Sequence, residues 1–120
     1  IPDIVVAPGD DPNAEMGPLI TAEHRGNVAG HIGRAADAGA SVVVDGRELE
    51  LDGDGYFLGP TLVDHVTPDM EIYAKEVFGP VLAVVRVDSY DEAARLVNEH
   101  EFGNGTAIFT RDGGAARRYQ

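Results

Sequence analysis

The sequence predicts an α/β fold: a mostly parallel sheet with flanking helices. Three observations carry this. Two β-branched runs, Ser41–Val44 and Val81–Val87, read as strands, and apolar residues at helical spacing surround them. The second half alternates strand, helix, strand, helix, an order that calls for parallel pairing through right-handed crossovers. The 120 residues include 43% hydrophobic side chains, enough to bury one core.

Gly9-Asp10-Asp11-Pro12 and the stretch 13–18 are turn material. Thr21 then offers an N-cap, and Val28, Ile32, Ala35 and Ala36 follow at helical spacing until Gly39 stops the helix. Gly26, Gly30 and Gly33 weaken that helix but permit close approach to a neighbour. Ser41–Val44 is the first strand and Asp45-Gly46 a turn. Glu48–Leu51 alternates polar and apolar like a short, half-exposed strand, which Asp52-Gly53-Asp54-Gly55 ends. Thr61-Leu62-Val63 is another short strand, and Thr67-Pro68-Asp69 opens a turn holding Met70–Tyr73. The segment 81–87 is the best candidate for a buried strand. Ser89 and Glu92 form a capping-box pattern, starting a helix with Ala93, Leu96 and Val97 on one face. Thr106–Thr110 is read as a strand, and Asp112 starts a last helix.

Charge narrows the function classes. Twenty-one acidic against nine basic residues give a net charge of −12, which repels nucleic acid and anionic membranes. Lys75 is the only lysine. An acidic, lysine-poor surface suits concentrated salt, where self-repulsion is screened, so a halophilic source is one reading and a GC-rich genome the other. No apolar stretch is long enough to span a bilayer, and no signal peptide is visible, so a cytoplasmic location is expected. Without cysteine there is no disulfide, thiolate metal site or thiol nucleophile.

Most local motifs have plain explanations. A calcium loop starting at Asp52 would need an acid at Val63, so it fails. Gly53-x-Gly55 and Gly103-x-Gly105 lack the third glycine of a dinucleotide fingerprint. His24 and His31 lie seven residues apart on one helix and read as a surface stripe; no histidine has metal-ligand spacing. The specific segment is Glu76-Val77-Phe78-Gly79-Pro80. A carboxylate and an aromatic at a strand's mouth could hold a vicinal diol and wall one side of a flat cofactor. A merely solvated acid beside a strand end is the other reading.

At this segment the chain resembles the aldehyde dehydrogenase superfamily. The likeness runs through Met16-Gly17-Pro18-Leu19-Ile20, Arg25, Ile32, Gly39-Ala40, Gly55-Tyr56-Phe57, Gly59-Pro60-Thr61, Glu76–Val81 and Asn98 with Phe102-Gly103. It ends with Gly105–Thr110. Tyr73 and Phe102-Gly103-Asn104-Gly105-Thr106-Ala107 look most like the methylmalonate-semialdehyde dehydrogenase branch.

The resemblance implies that residues 1–120 are a partial catalytic domain of an NAD-dependent enzyme. It would lack the nucleophilic cysteine, the Rossmann domain and the C-terminal oligomerisation strand, so no catalytic residue is assigned within it. Glu76 would bind the nicotinamide-ribose hydroxyls and Phe78 would pack beside them. Asn104 would approach the nicotinamide or substrate, although its residue type differs from most of the superfamily. Lys75 replaces the acid that usually precedes the ribose glutamate. The parent enzyme would be a homo-oligomer acting on a small aldehyde, with coenzyme A as acyl acceptor, and the 120-residue piece alone would be inactive. The competing reading is a stand-alone, non-catalytic module that reuses the scaffold for binding or assembly.

Overall fold

The first helix shows how local chemistry sets an element. In the computed structural model, which describes residues 1, 3–51 and 54–120, α1 spans Ala22–Asp37. Thr21 caps it, its hydroxyl accepting the His24 N–H, and Gly39 ends it at φ 100°. Val28, Ile32 and Ala35 are buried as spaced, whereas Ala36 is exposed. The remaining elements are β1 (Ser41–Val44), a 3₁₀ turn (Gly46–Glu48), β2 (Thr61–Asp64), α2 (Glu71–Ala74), β3 (Val81–Ala83), α3 (Tyr90–Glu99) and α4 (Gly113–Tyr119). Two compact units result, Ile1–Arg86 and Val87–Gln120.

The sheet of the first unit is mixed rather than mostly parallel. Its order is β1-β2-β3, with β1 and β2 antiparallel and β2 and β3 parallel. A core of Ala35, Ala40, Val63, Val66, Met70 and Ile72 fills the space beneath α1, and Tyr73, Val77, Val81 and Val85 pack against it.

Glu48–Leu51 is not a strand. Asp45 accepts the Arg47 N–H and caps the 3₁₀ turn, while β2 takes the place beside β1. The Gly46 N–H donates to the buried Thr61 hydroxyl at 2.9 Å, and its carbonyl accepts from Gly59 at 2.9 Å. A Cβ on Gly46 would stand 1.7 Å from the Gly59 oxygen, so only glycine allows this crossing. Asp52 and Gly53, half of the expected turn after that strand, lie outside the described residues.

The buried strand expected over 81–87 shortens to β3, which lies at an end of the sheet order with Leu82 exposed. A continuous apolar run is compatible with burial, but burial also requires something on both faces.

Across the seam between α1 and α2, the Arg34 Nε donates to Glu71 Oε2 at 2.5 Å. His31 Nδ1 is buried without a hydrogen-bond partner among the described residues, 4.0 Å from Glu71 Oε1. Burial, then the charge of Arg34, lowers the His31 pKa from 6.5; Lys75 adds to this and Glu71 opposes it. The surface stripe read for His24 and His31 is thereby corrected: His31 is turned inward.

In the second unit, Ser89 caps α3 by accepting the Glu92 N–H. The Glu92 carboxylate reaches back to the Asp88 N–H, one residue before the cap. Asp112 accepts the Gly114 and Ala115 N–H groups to start α4. Arg118 pairs with Asp91 and lies over the Tyr90 ring, and the Tyr119 hydroxyl donates to Thr106. Thr106–Thr110 forms no strand: its β-type sequence has no strand to pair with among the described residues, and Phe109 stands 97% exposed.

Candidate functional site

Glu76 and Phe78 lie in the non-helical chain between α2 and β3. α2 ends as the Lys75 N–H donates to the Glu71 carbonyl, and Lys75 turns to extended backbone. From there burial alternates over the next three residues. Val77 packs on the core, while Glu76 and Phe78 on either side of it are exposed. Phe78 is 73% exposed, a large apolar surface that no group among the described residues covers. The Glu76 carboxylate makes no hydrogen bond or ion pair among the described residues.

Two short turns hold this segment. The Gly79 N–H donates to the Val77 carbonyl at 2.9 Å, and the Val81 N–H donates to the Gly79 carbonyl at 2.8 Å. The Thr61 N–H then donates to the Pro80 carbonyl at 2.8 Å and leads the chain into β3 beside β2.

The first turns of α1 press on the segment from another side. Gly79 lies against Val28 so closely that a Cβ there would fall 2.8 Å from Val28 Cγ1. The His24 ring bonds through Nε2 to the Phe78 carbonyl at 2.5 Å. Since a carbonyl only accepts, the Nε2–H is the donor. From the next residue, the Arg25 Nε donates to the Phe57 carbonyl at 2.5 Å. A shallow groove of about 400 Å³ runs beside the phenyl ring, lined among others by Met16, Leu19, Leu58 and Pro80.

A carboxylate can accept hydrogen bonds from two adjacent hydroxyls and an exposed ring can cover a flat group, so the chemistry of these two side chains fits the ribose and ring of a nucleoside. Asn104, by contrast, lies in the second unit, exposed in the segment after α3.

Residues 2–120 match the aldehyde dehydrogenase family. The chain belongs to that family. Among curated relatives, the malonate-semialdehyde dehydrogenase of Pseudomonas aeruginosa is 52% identical over 116 residues, covering 95% of this chain and 23% of the relative. The methylmalonate-semialdehyde/malonate-semialdehyde dehydrogenase of Bos taurus is 46% identical over 113 residues, covering 92% of this chain and 21% of its own length. Among solved structures, methylmalonate-semialdehyde dehydrogenase from Oceanimonas doudoroffii superposes with a TM-score of 0.93 at 48% identity, covering 98% of this chain and 25% of that one. An aldehyde dehydrogenase of Mycobacterium tuberculosis complexed with NAD+ gives a TM-score of 0.89 at 32% identity, covering 98% and 24%.

The aldehyde dehydrogenase resemblance and its methylmalonate-semialdehyde branch are thus borne out, as is the α/β fold class. The chain spans about a quarter of the length of the relatives it matches. One expectation is overturned. Relatives from Bos taurus, Rattus norvegicus, Homo sapiens and Arabidopsis thaliana are mitochondrial by name, so family likeness gives no support to a cytoplasmic location. No helix among the described residues is long and apolar enough to cross a membrane.

Sequence reasoning singled out Glu76 and Phe78 and gave no hint of the bond between His24 and the Phe78 backbone. Its one signal was a histidine in the first turn of a capped helix, which says nothing about the element packed above it.

Proposed function

We propose that this chain contributes the cofactor wall of the catalytic domain of an NAD-dependent, coenzyme A-acylating malonate- or methylmalonate-semialdehyde dehydrogenase. The observation that carries the reading is the pair of exposed side chains, Glu76 and Phe78, on either side of core-packed Val77, in a family in which a solved relative holds NAD+. NAD, when bound, supplies a hydride acceptor for the aldehyde carbon. Glu76 accepts hydrogen bonds from both nicotinamide-ribose hydroxyls, and Phe78 covers the apolar side of the cofactor and excludes water there.

This chain has no cysteine, so a thiol that captures the aldehyde belongs to other parts of such an enzyme, as does the site where coenzyme A takes the acyl group. A homo-oligomeric enzyme is part of the same reading.

Replacing Glu76 with Gln in the full enzyme tests the proposal. The amide keeps one acceptor and loses the charge, and a hydrogen bond to a charged group contributes about 1.5–3 kcal/mol. The dissociation constant for NAD is expected to rise by about one to two orders of magnitude, with aldehyde capture little changed. An unchanged NAD constant together with a normal hydride-transfer rate would refute it.

A further inference from the structure

From the packing of α1 against the turn before β3, we infer that His24 is a positioning residue for the cofactor wall. This rests on the reading of Glu76 and Phe78 given above. The imidazole bonds to the backbone of the residue whose side chain forms the wall, across 54 residues of sequence. No ladder hydrogen bond holds Glu76, Val77 or Phe78, since β3 begins only at Val81. The anchors of the segment are the Val77 side chain in the core, the Gly79–Val28 contact and the His24 bond. A fourth, the Gly79 N–H bond to the Val77 carbonyl, closes a turn around Phe78 within the segment; of these anchors the His24 bond is the one that ties Phe78 itself to α1.

His24 is itself fixed. Its backbone N–H donates to the Thr21 hydroxyl at 3.0 Å, so the helix cap and the ring form one chain of bonds from the start of α1 to Phe78. The ring fixes where the Phe78 carbonyl stands, and through it the direction of the phenyl and of Glu76 two residues back. Loss of the donor frees Phe78 and Glu76 to sample orientations in which a diol and a flat base are not met together. Binding then carries the ordering cost that the hydrogen bond otherwise removes in advance.

Equilibrium titration of the full enzyme with NAD tests this, using His24→Leu, His24→Gln, Glu76→Gln and the double variant that combines His24→Leu with Glu76→Gln. His24→Leu removes the donor, whereas His24→Gln keeps an N–H at about the reach of Nε2. His24→Leu should weaken NAD binding about three- to tenfold, the range for one hydrogen bond, and His24→Gln should restore it to within about twofold. The double variant should bind NAD no more than about twofold worse than Glu76→Gln alone, because both act through one segment.

Fully multiplicative losses, or a His24→Gln variant as weak as His24→Leu, would overturn the positioning role while leaving the Glu76 reading intact. An unchanged NAD constant in Glu76→Gln would instead remove that reading, and this inference with it. A misfolded His24→Leu protein would still leave the glutamine substitutions as a test. A double variant of His24→Gln with Glu76→Gln must then match Glu76→Gln alone, and further weakening would refute the inference.

Discussion

Substituting Gly79 by Ala places one methyl group where α1 and the segment before β3 meet, and the structure says what it must displace. The new Cβ would lie 2.8 Å from Val28 Cγ1 and 2.9 Å from Cγ2. Carbon atoms attract at about 3.5–4.0 Å, so the turn must move by roughly 0.7 Å or Val28 must give way. Val28 cannot easily turn aside: it is 1% exposed, and a β-branched side chain in a helix has one dominant rotamer. Overpacking of this kind costs about 1–3 kcal/mol. Val28→Ala alone removes two buried methyl groups and should cost about 1.5–3 kcal/mol. Together the two changes should compensate, since the methyl added by Gly79→Ala enters the space vacated by the Val28 methyls.

Urea unfolding of the unmodified chain, both single variants and the double measures this. The double variant should be about as stable as Val28→Ala, giving a favourable coupling of at least about 1 kcal/mol at unchanged m-values. Costs that add to within about 0.5 kcal/mol would show that Gly79 and Val28 do not press on one another. The reasoning about the α1 clamp would then fail.

Two further outcomes concern charge. The folded chain holds the His31 pKa below 6.5, so the unfolded chain binds more protons near that pH. Stability from this group is present above pH 6.5 and lost as pH falls through the folded value. His31→Leu should flatten the melting temperature below pH 6.5, and an unaltered acid slope would refute this. Asp64 behaves likewise at lower pH: its hydrogen bonds from Arg86 hold it at about 2, so its contribution fades as pH falls from 3.8 through 2, and Asp64→Asn should remove that part of the acid transition. The net charge of −12 predicts a third outcome. Raising potassium chloride from 0.1 M to molar levels shortens the screening length from about 10 Å to about 3 Å, which should raise the melting temperature. A flat series would leave the acidic composition without a salt-related role.

What was legible in the sequence was whatever its near neighbours determine. Thr21, Ser89 and Asp112 announce their helices because a side-chain oxygen three residues from an N–H is a local arrangement. What was illegible depends on distant chain. Asp45-Gly46 has the form of a hairpin turn, yet Gly46 is held by Gly59 and Thr61, and β2, antiparallel to β1 and parallel to β3, takes the place beside β1 that Glu48–Leu51 would have had. Thr106–Thr110 carries β-branched residues at both ends, but a strand exists only where another backbone offers its ladder.

The segment from Glu76 to Pro80 divides along the same line. That Glu76 and Phe78 stand exposed on either side of a core-packed Val77 is a two-residue pattern, so the segment can be singled out from the sequence. That the face is held in place depends on His24 and Val28, four residues apart on α1 and therefore on one side of the helix. The same spacing would suit a solvated surface just as well. A helical pattern tells which side chains travel together; it does not tell what they meet. The glutamate can therefore be singled out from five residues of sequence, whereas the contact of His24 with the Phe78 backbone becomes visible only once α1 is laid against the turn before β3.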